Sequence, residues 1–318
     1  MGKNSTAVRN IPLTSYAQGL MQDRLGAYRL ANLLCPIVQV GAAVGTFKIF
    51  DDRNDFLPVE MARPLGGPRA RITHDATDGT YACTPYGVEI PVDDFEVALA
   101  GGNTDAVAAQ LLEQGKMRTM IAKKATGYVK RVTDFVFANL TAVDGRGKFS
   151  DPAIDPIDQI DEQLTALAIL AGTTENFAVA LGINTWNSIR RNEKVKKRCN
   201  GVQIEGISLE QLNRSLVFPV KLEVSAVSYV LTKRGQSATS PGIAKTEAMS
   251  NYVVIANSFP NPTVDDPSPF KCFSTSSVLV DGVSTYREEN SASDIHFMDW
   301  SENIKACGTA LARLIAVT

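Results

Sequence analysis

Apolar and polar positions between residues 103 and 139 follow a helical period and predict one long amphipathic helix, the spine helix. Apolar or small residues recur every three or four positions: Val107, Leu111, Ile121, Ala125, Tyr128, Val132 and Phe135. The opposite face is charged: Glu113, Lys116, Lys123, Lys124, Lys130, Arg131 and Asp134. About 35 residues would form a rod of roughly 50 Å, longer than a small domain is wide. An ordinary core helix is the alternative, and Gly115 and Gly127 leave a bend open because glycine weakens helix interiors.

The first 44 residues predict an arm with one short helix. Leu25, Tyr28, Leu30 and Leu33 follow a helical pattern that ends before Pro36, because proline disfavours helical backbone in the residue before it. N-terminal tails are usually disordered, so we expect a contact, such as one with another subunit, to hold this arm in place.

Residues 45–92 predict a long, two-sided β-ribbon, the extended loop. Polar and apolar residues alternate in 46–50, 69–73 and part of 80–90, and glycines and prolines between them indicate turns. Phe47, Ile49 and Phe56 are too few to form a core, and an isolated ribbon is marginally stable in water. We therefore expect it to lie on a neighbouring subunit; an ordinary surface excursion is the alternative.

Residues 151–264 predict a compact α/β domain. Asp155 caps a helix that opens at Pro156 and stops at Gly172. The inward face of that helix is Ile157, Ile160, Leu164, Leu167 and Ala171. The following elements are a buried strand at 177–181, a helix from 184 with Trp186 and Ile189 inward, a helical stretch at 208–212, and strands at 220–224 and 252–256. Helices alternate with strands, which is typical of an α/β domain.

A flexible loop is predicted at 235–242 and a proline-rich boundary at 259–269. Beyond the boundary, strands are predicted at 277–280, 283–288 and 295–300, and the last residues are apolar: Leu311, Leu314, Ile315 and Val317. We expect this final β segment to return to the spine helix.

Composition adds bounds to this outline. The 318 residues are 44% hydrophobic and 21% charged, as in globular proteins with an ample core, and the length suggests two domains. A net charge of −2 gives no general attraction to nucleic acid or membrane surfaces. No apolar run is long enough to cross a bilayer and no signal-peptide core follows Met1, so synthesis in a reducing cytoplasm is expected. The cysteines, five in number and widely spaced, are expected to be free thiols.

Catalytic chemistry has little support. His74 and His296 are the two histidines, and neither has a partner at metal-ligand spacing. Cys83 or Cys199 with His296 would be a nucleophile–base pair, although nothing local indicates an activated thiol. Glycine-rich phosphate loops are missing. We predict no catalytic, cofactor-binding or metal-binding residues.

A basic run occupies residues 190–198. It consists of Arg190, Arg191, Lys194, Lys196, Lys197 and Arg198. It is suited to binding phosphate or acidic groups of a neighbour; a solvated face is the alternative.

The order of these segments resembles the major capsid proteins of tailed bacteriophages, whose fold is named after the phage Hong Kong ninety-seven. The resemblance rests on the apolar arm at 28–40 with its Pro36, the Tyr-Gly-Val-Glu-Ile-Pro-Val-Asp-Asp stretch at 86–94, the helix and basic segment at 184–198, and the helix–strand unit at 207–224. It covers nearly the whole chain.

The resemblance implies an α+β fold with an N-terminal arm (1–44), the extended loop as a β-hairpin (45–92), a peripheral domain with the spine helix (93–150), an axial domain (151–264) and a C-terminal β segment of the peripheral domain (265–318). It implies a non-enzymatic capsid protein that assembles into capsomers and an icosahedral shell around double-stranded DNA. It places the protein in the virion, assembled in the host cytoplasm and without a membrane.

The implied partners are further copies of the chain in hexamers and pentamers, a portal, a decoration protein and DNA held without sequence-specific contacts. Family members with an internal scaffolding segment carry a long charged helical extension ahead of the arm, and this chain has none, so the resemblance implies a separate scaffolding protein or a mature form. No cofactor is expected. The intersubunit contact candidates are Phe47, Ile49, Phe56, Arg69, Arg71, Arg190, Arg191, Lys194, Lys196 and Lys197. An encapsulin-like nanocompartment shell, which holds protein cargo, is the alternative, and a cysteine-dependent enzyme is the remote one.

Overall fold

The computed structural model describes the chain except residues 1–7, 24, 51–55, 64, 68, 73–75, 102–105, 145–146, 201–206, 231–244, 260, 276–281 and 318. The α-helices of the described part are α1 (Ile11–Asp23), α2 (Leu25–Leu34), α3 (Asp94–Leu99), α4 (Ala106–Asn139), α5 (Pro156–Ala171), α6 (Ile183–Arg191), α7 (Glu193–Asn200) and α8 (Leu209–Ser215). Its strands are β1 (Val8–Arg9), β2 (Ile37–Gln39), β3 (Val44–Phe50), β4 (Ala76–Ala82), β5 (Thr84–Asp93), β6 (Ala142–Asp144), β7 (Phe177–Gly182), β8 (Lys221–Ser225), β9 (Ser228–Val230), β10 (Lys245–Glu247), β11 (Tyr252–Asn257), β12 (Phe270–Ser274), β13 (Ser284–Glu288), β14 (Ser293–Ala306) and β15 (Ala312–Ala316).

The spine helix is α4, and it runs unbroken for 34 residues through Gly115 and Gly127. At 1.5 Å per residue it is roughly 51 Å long. Its apolar face is buried from Met117 to Val136, as predicted, but Val107 and Leu111 remain 64% and 62% exposed. The first turns of the helix therefore extend past the core of the subunit.

The first half of the spine helix packs on a six-stranded sheet. The sheet has the order β1-β13-β14-β12-β2. A sixth strand, β5, lies outside this order and, among the described strands, pairs with β14 alone. Met117, Met120 and Ile121 of the helix share a core with Leu13 of α1 and Met298 of β14. β14 pairs with β5 from Ser293 to Glu302, so the predicted strand at 295–300 exists but is longer.

The second half of the spine helix packs on α2 and on a five-stranded sheet of order β6-β15-β11-β7-β8. β7 is buried along its whole length, as predicted for 177–181. The other face of this sheet packs on α5, α6 and α8 in a second core. α5 begins at Pro156 after the Asp155 cap and ends at Gly172 with a φ of 64°, as predicted.

The last strand, β15, returns to the spine helix, as expected for the C-terminal segment, because Ala312 and Leu314 share a core with Val132 of that helix. It lies in the five-stranded sheet, where Leu314 pairs with Val254 of β11 and, on its other side, with Ala142 of β6. Leu314 and Ile315 face the two opposite cores, which is why both are apolar. The final segment therefore joins both sheets of the subunit.

The charged face of the spine helix is not simply solvated. Glu302 of β14 is 5% exposed and accepts hydrogen bonds from Arg131 Nε at 2.5 Å and Trp300 Nε1 at 3.1 Å. Arg131 also lies over the ring of Tyr86, and Lys124 lies over that of Trp300, each 4.6 Å from the ring centroid. These contacts fix the orientation of the helix on β5 and β14.

The arm and the extended loop also depart from their predictions. The arm holds two helices, because Asn10 starts α1 by accepting a hydrogen bond from Leu13 N at 3.1 Å.

In the extended loop, β3 and β4 form the expected antiparallel hairpin, from Val44 opposite Ala82 to Phe50 opposite Ala76. Residues 69–72 are not a strand, and β5 leaves the hairpin for the six-stranded sheet. The loop at 235–242 and the strand at 277–280 lie outside the described residues.

Candidate functional site

The base of the hairpin is anchored by three aromatic rings. Phe47 and Tyr81 stack on Phe273 of β12 with ring centroids 5.3 and 4.6 Å apart. A Cβ added at Gly45 or Gly79 would lie 2.4 Å from the Tyr81 hydroxyl or the Phe47 ring, so each ring lies across a glycine of the opposite strand. Phe47 is 4% exposed. The ring of this contact candidate is therefore buried in its own subunit.

The other two apolar candidates of the extended loop also contact their own chain. Ile49 is half-buried against the cluster at the hairpin base. Phe56 is 50% exposed, and a Cβ at Gly172 would lie 2.5 Å from its ring. Ile49 and Phe56 keep part of their surface exposed.

The loop tip, defined here as the described residues between 57 and 72, has little contact with its own subunit. Its large apolar side chains are exposed: Leu57 61%, Met61 74%, Leu65 106% and Ile72 68%. Arg63, Arg69 and Arg71 are exposed as well. Its hydrogen bonds among described residues are local, from Ala62 N to Glu60 Oε1 and from Arg63 Nη1 to the Gly67 carbonyl. A surface this apolar in a segment without its own core is typical of an interface.

Three cations of the basic run contact other groups of their own subunit. Arg198 pairs with Asp158 and Asp161 of α5. Lys194 Nζ donates to the Ala153 carbonyl at 2.5 Å, and Lys196 pairs with Glu193 at 3.4 Å. Arg198 therefore holds α7 against α5, and Lys194 joins α7 to the turn before α5, whereas the Lys196–Glu193 pair lies within α7.

Arg190, Arg191 and Lys197 are the exposed remainder, called here the basic face. Within the part of the chain that the structure describes, none of the three forms an ion pair. Lys194 and Lys196, the other two contact candidates of this run, form contacts within their own subunit.

The nucleophile–base pair of the remote alternative is not assembled. His296 is 3% exposed and its Nδ1 lies 2.8 Å from Thr285 Oγ1. Cys83 Sγ lies 3.5 Å from the Phe273 carbonyl and Cys199 Sγ lies 3.4 Å from Ser215 Oγ. Burial also raises the pKa of the Cys83 thiol, which disfavours the reactive thiolate.

The described residues contain no group of three or more His, Cys, Asp or Glu side chains that would hold a metal ion. No helix among them is long and apolar enough to cross a bilayer.

Neither a family profile nor a curated protein sequence matches this chain. Solved structures do match it. A phage-related protein from Bordetella bronchiseptica RB50 has a TM-score of 0.71 and 18% identity, over 98% of this chain and 97% of its own. A chain of the bacteriophage PhiM1 mature capsid has a TM-score of 0.54 and 10% identity, over 91% and 86%. The virus-like particle from Pyrococcus furiosus has a TM-score of 0.51 and 9% identity, over 96% and 100%.

These matches establish the fold. The chain has the α+β fold of tailed-phage major capsid proteins, as the order of its segments predicted.

Proposed function

We propose that this chain is the major capsid protein of a tailed bacteriophage, a subunit that assembles into capsomers and then into an icosahedral shell around double-stranded DNA. The extent of the structural match carries the proposal, since it takes in 98% of this chain and 97% of the phage-related protein. A match of that extent is not limited to a common core.

The surface of the subunit supports the same proposal. Shells are built from large, repeated contacts between unlike surfaces, and obligate interfaces often exceed about 2,000 Å². The loop tip offers apolar side chains that its own subunit leaves exposed. Such a segment gains its stability when a second copy covers it.

The roles of the segments belong to this proposal. Residues 1–44 act as the arm and 45–92 as the extended loop, while 93–150 and 265–318 form the peripheral domain and 151–264 the axial domain at the capsomer centre. The basic face of the axial domain contacts neighbouring subunits. The further partners are a scaffolding protein, a portal, a decoration protein and DNA held without sequence-specific contacts.

Electron microscopy of the expressed protein tests the proposal, together with native mass spectrometry of its soluble fraction. We expect rings of five and six subunits and closed shells of uniform diameter. Particles isolated from the producing host should contain nuclease-protected double-stranded DNA. A chain that stays monomeric at every concentration, without rings or shells, would contradict the proposal.

The same particles distinguish the alternative shell. Particles that hold a defined protein and no nucleic acid would identify a nanocompartment. That outcome would refute the DNA-packaging role while leaving shell formation intact.

A further inference from the structure

Helix α3 presents an apolar face that no described residue of the subunit covers. Phe95 and Leu99 lie one helical turn apart and are 71% and 74% exposed. No residue of this helix is buried. Because the two side chains are adjacent, they form one exposed apolar patch rather than two scattered apolar residues.

The surroundings of this face carry an excess of negative charge. Asp94 N donates to the Ala292 carbonyl at 3.1 Å, which joins α3 to the turn between β13 and β14. The carboxylates at this junction are Asp93, Asp94, Glu96, Glu288, Glu289 and Asp294. The cations among them are Arg287, paired with Asp94 and Asp294, and Lys116, paired with Glu96. Glu288 and Glu289 are exposed and form no ion pair in the described part of the chain.

We propose that the loop tip of a second copy of this chain docks on this α3 face. The two surfaces are complementary in both apolar character and charge. Met61, Leu65 and Ile72 match the exposed Phe95 and Leu99. Arg63, Arg69 and Arg71 meet the surplus carboxylates, and the exposed glutamates of the β13–β14 turn bind the arginines.

The other cationic surface, the basic face, is a poorer match. Among the described residues of α6 and α7 that carry it, no large apolar side chain is exposed. It would meet the carboxylates but leave Phe95 and Leu99 uncovered. The loop tip supplies both kinds of group.

The contact joins different copies. No described ion pair or hydrogen bond links the loop tip to α3 within one subunit. Because the two surfaces are different, the contact is heterologous and repeats from each copy to the next, as rings and shells require. The inference rests on the proposed shell function and identifies the surface that receives the extended loop.

Charge reversal tests the contact. Arg69→Glu with Arg71→Glu, and separately Glu288→Lys with Glu289→Lys, should each lower the yield of sedimenting assemblies by about tenfold or more, because like charges then face each other. The chain with all four substitutions should recover to within about threefold of the unchanged chain. All four side chains are exposed, so thermal unfolding of the subunit should stay unchanged in every variant.

A matched control separates position from net charge. Arg69→Glu and Arg71→Glu combined with Glu175→Lys and Glu210→Lys, two exposed glutamates of the axial region, should stay as defective as the first pair. Recovery in this control, or no recovery with Glu288→Lys and Glu289→Lys, would overturn the docking proposal. Failure of the unchanged chain to assemble would instead refute the shell function.

Discussion

At the scale of single residues, the hairpin base depends on close approach. Phe47 lies across Gly79 in the opposite strand, and its ring stacks on Phe273. Phe47 was predicted to contact a neighbouring subunit because the ribbon by itself contains too few apolar residues to form a core. Phe273 lies far along the chain, so local pattern could not reveal the stacking partner.

Gly79→Ala tests this packing. Its Cβ would lie 2.4 Å from the Phe47 ring, which must move off Phe273. We expect a loss of about 1–3 kcal/mol in the free energy of unfolding, measured by urea denaturation of the subunit. Gly41→Ala is the matched control, because a Cβ there meets nothing within 4 Å. Equal stability of the two variants would contradict the stacking geometry.

His296 makes the stability of the subunit depend on pH. Burial lowers the pKa of its imidazole and Lys116 acts in the same direction, while Glu113 and Asp294 oppose them. The unfolded chain protonates His296 below about pH 6.5, and the folded chain does so only at lower pH. The unfolded state thus binds more protons in this range, so the free energy of unfolding falls as pH drops below about 6.5.

His296→Gln should remove that contribution. Urea denaturation at pH 7.5, 6.5 and 5.5 should show a smaller loss of stability on acidification for this variant than for the unchanged chain. Parallel pH profiles for the unchanged chain and His296→Gln would count against the assignment.

At the scale of elements, local sequence signals were sufficient to predict the bounds of a helix that has its own capping residue and its own terminating glycine. Asp155, Pro156 and Gly172 set the bounds of α5. The same kind of signal precedes α1, where the capping residue Asn10 is followed by apolar residues at helical spacing, Leu13, Ala17 and Leu20. The prediction of a single helix in the arm did not use this signal. The polar contacts of the spine helix could not be predicted from local sequence, because their partners Glu302 and Trp300 are distant along the chain.

The basic face yields a prediction at this scale. Arg190→Glu, Arg191→Glu and Lys197→Glu together should reduce capsomer formation, seen as fewer rings in native mass spectrometry, because the face repels the neighbour it is proposed to bind. Arg190 and Arg191 lie in the last turn of α6, so their reversal also costs about 0.3–1 kcal/mol each through the helix dipole. Thermal unfolding of the subunit measures that part separately.

The DNA content of the surviving particles decides what the basic face contacts. Unchanged DNA per particle agrees with contacts between subunits. A full yield of capsomers that package less DNA would show that the face binds the genome instead.

At the scale of the whole molecule, the sequence was sufficient to predict that the ribbon cannot fold alone. The sequence was not sufficient to predict how the base of the ribbon attaches to the subunit core. Its base joins the subunit core through Phe47 and Tyr81, while the hydrogen bonds among the described residues of its tip are local. The subunit therefore stabilises one end of the ribbon and leaves the described side chains of the other end largely exposed.

Shortening the ribbon separates these two ends. Replacing residues 51–75 by an Asn-Gly turn joins Phe50 to Ala76, which already face each other as a strand pair. Calorimetry of the subunit should give nearly the same unfolding temperature, while microscopy should find no closed shells. Phe47→Ala, which acts at the base, should instead lower the unfolding temperature. Normal shells from the shortened chain would refute the intersubunit role of the tip.

The position of β15 has a consequence for biosynthesis. Leu314 lies between Val254 and Ala142, so the five-stranded sheet cannot close until the ribosome has released residues 312–316. Pairings between such distant segments form late, because a long loop must close first. A nascent chain that has reached only residue 257 exposes one edge of β11. Folding of this sheet is thus complete only after residues 312–316 have been translated.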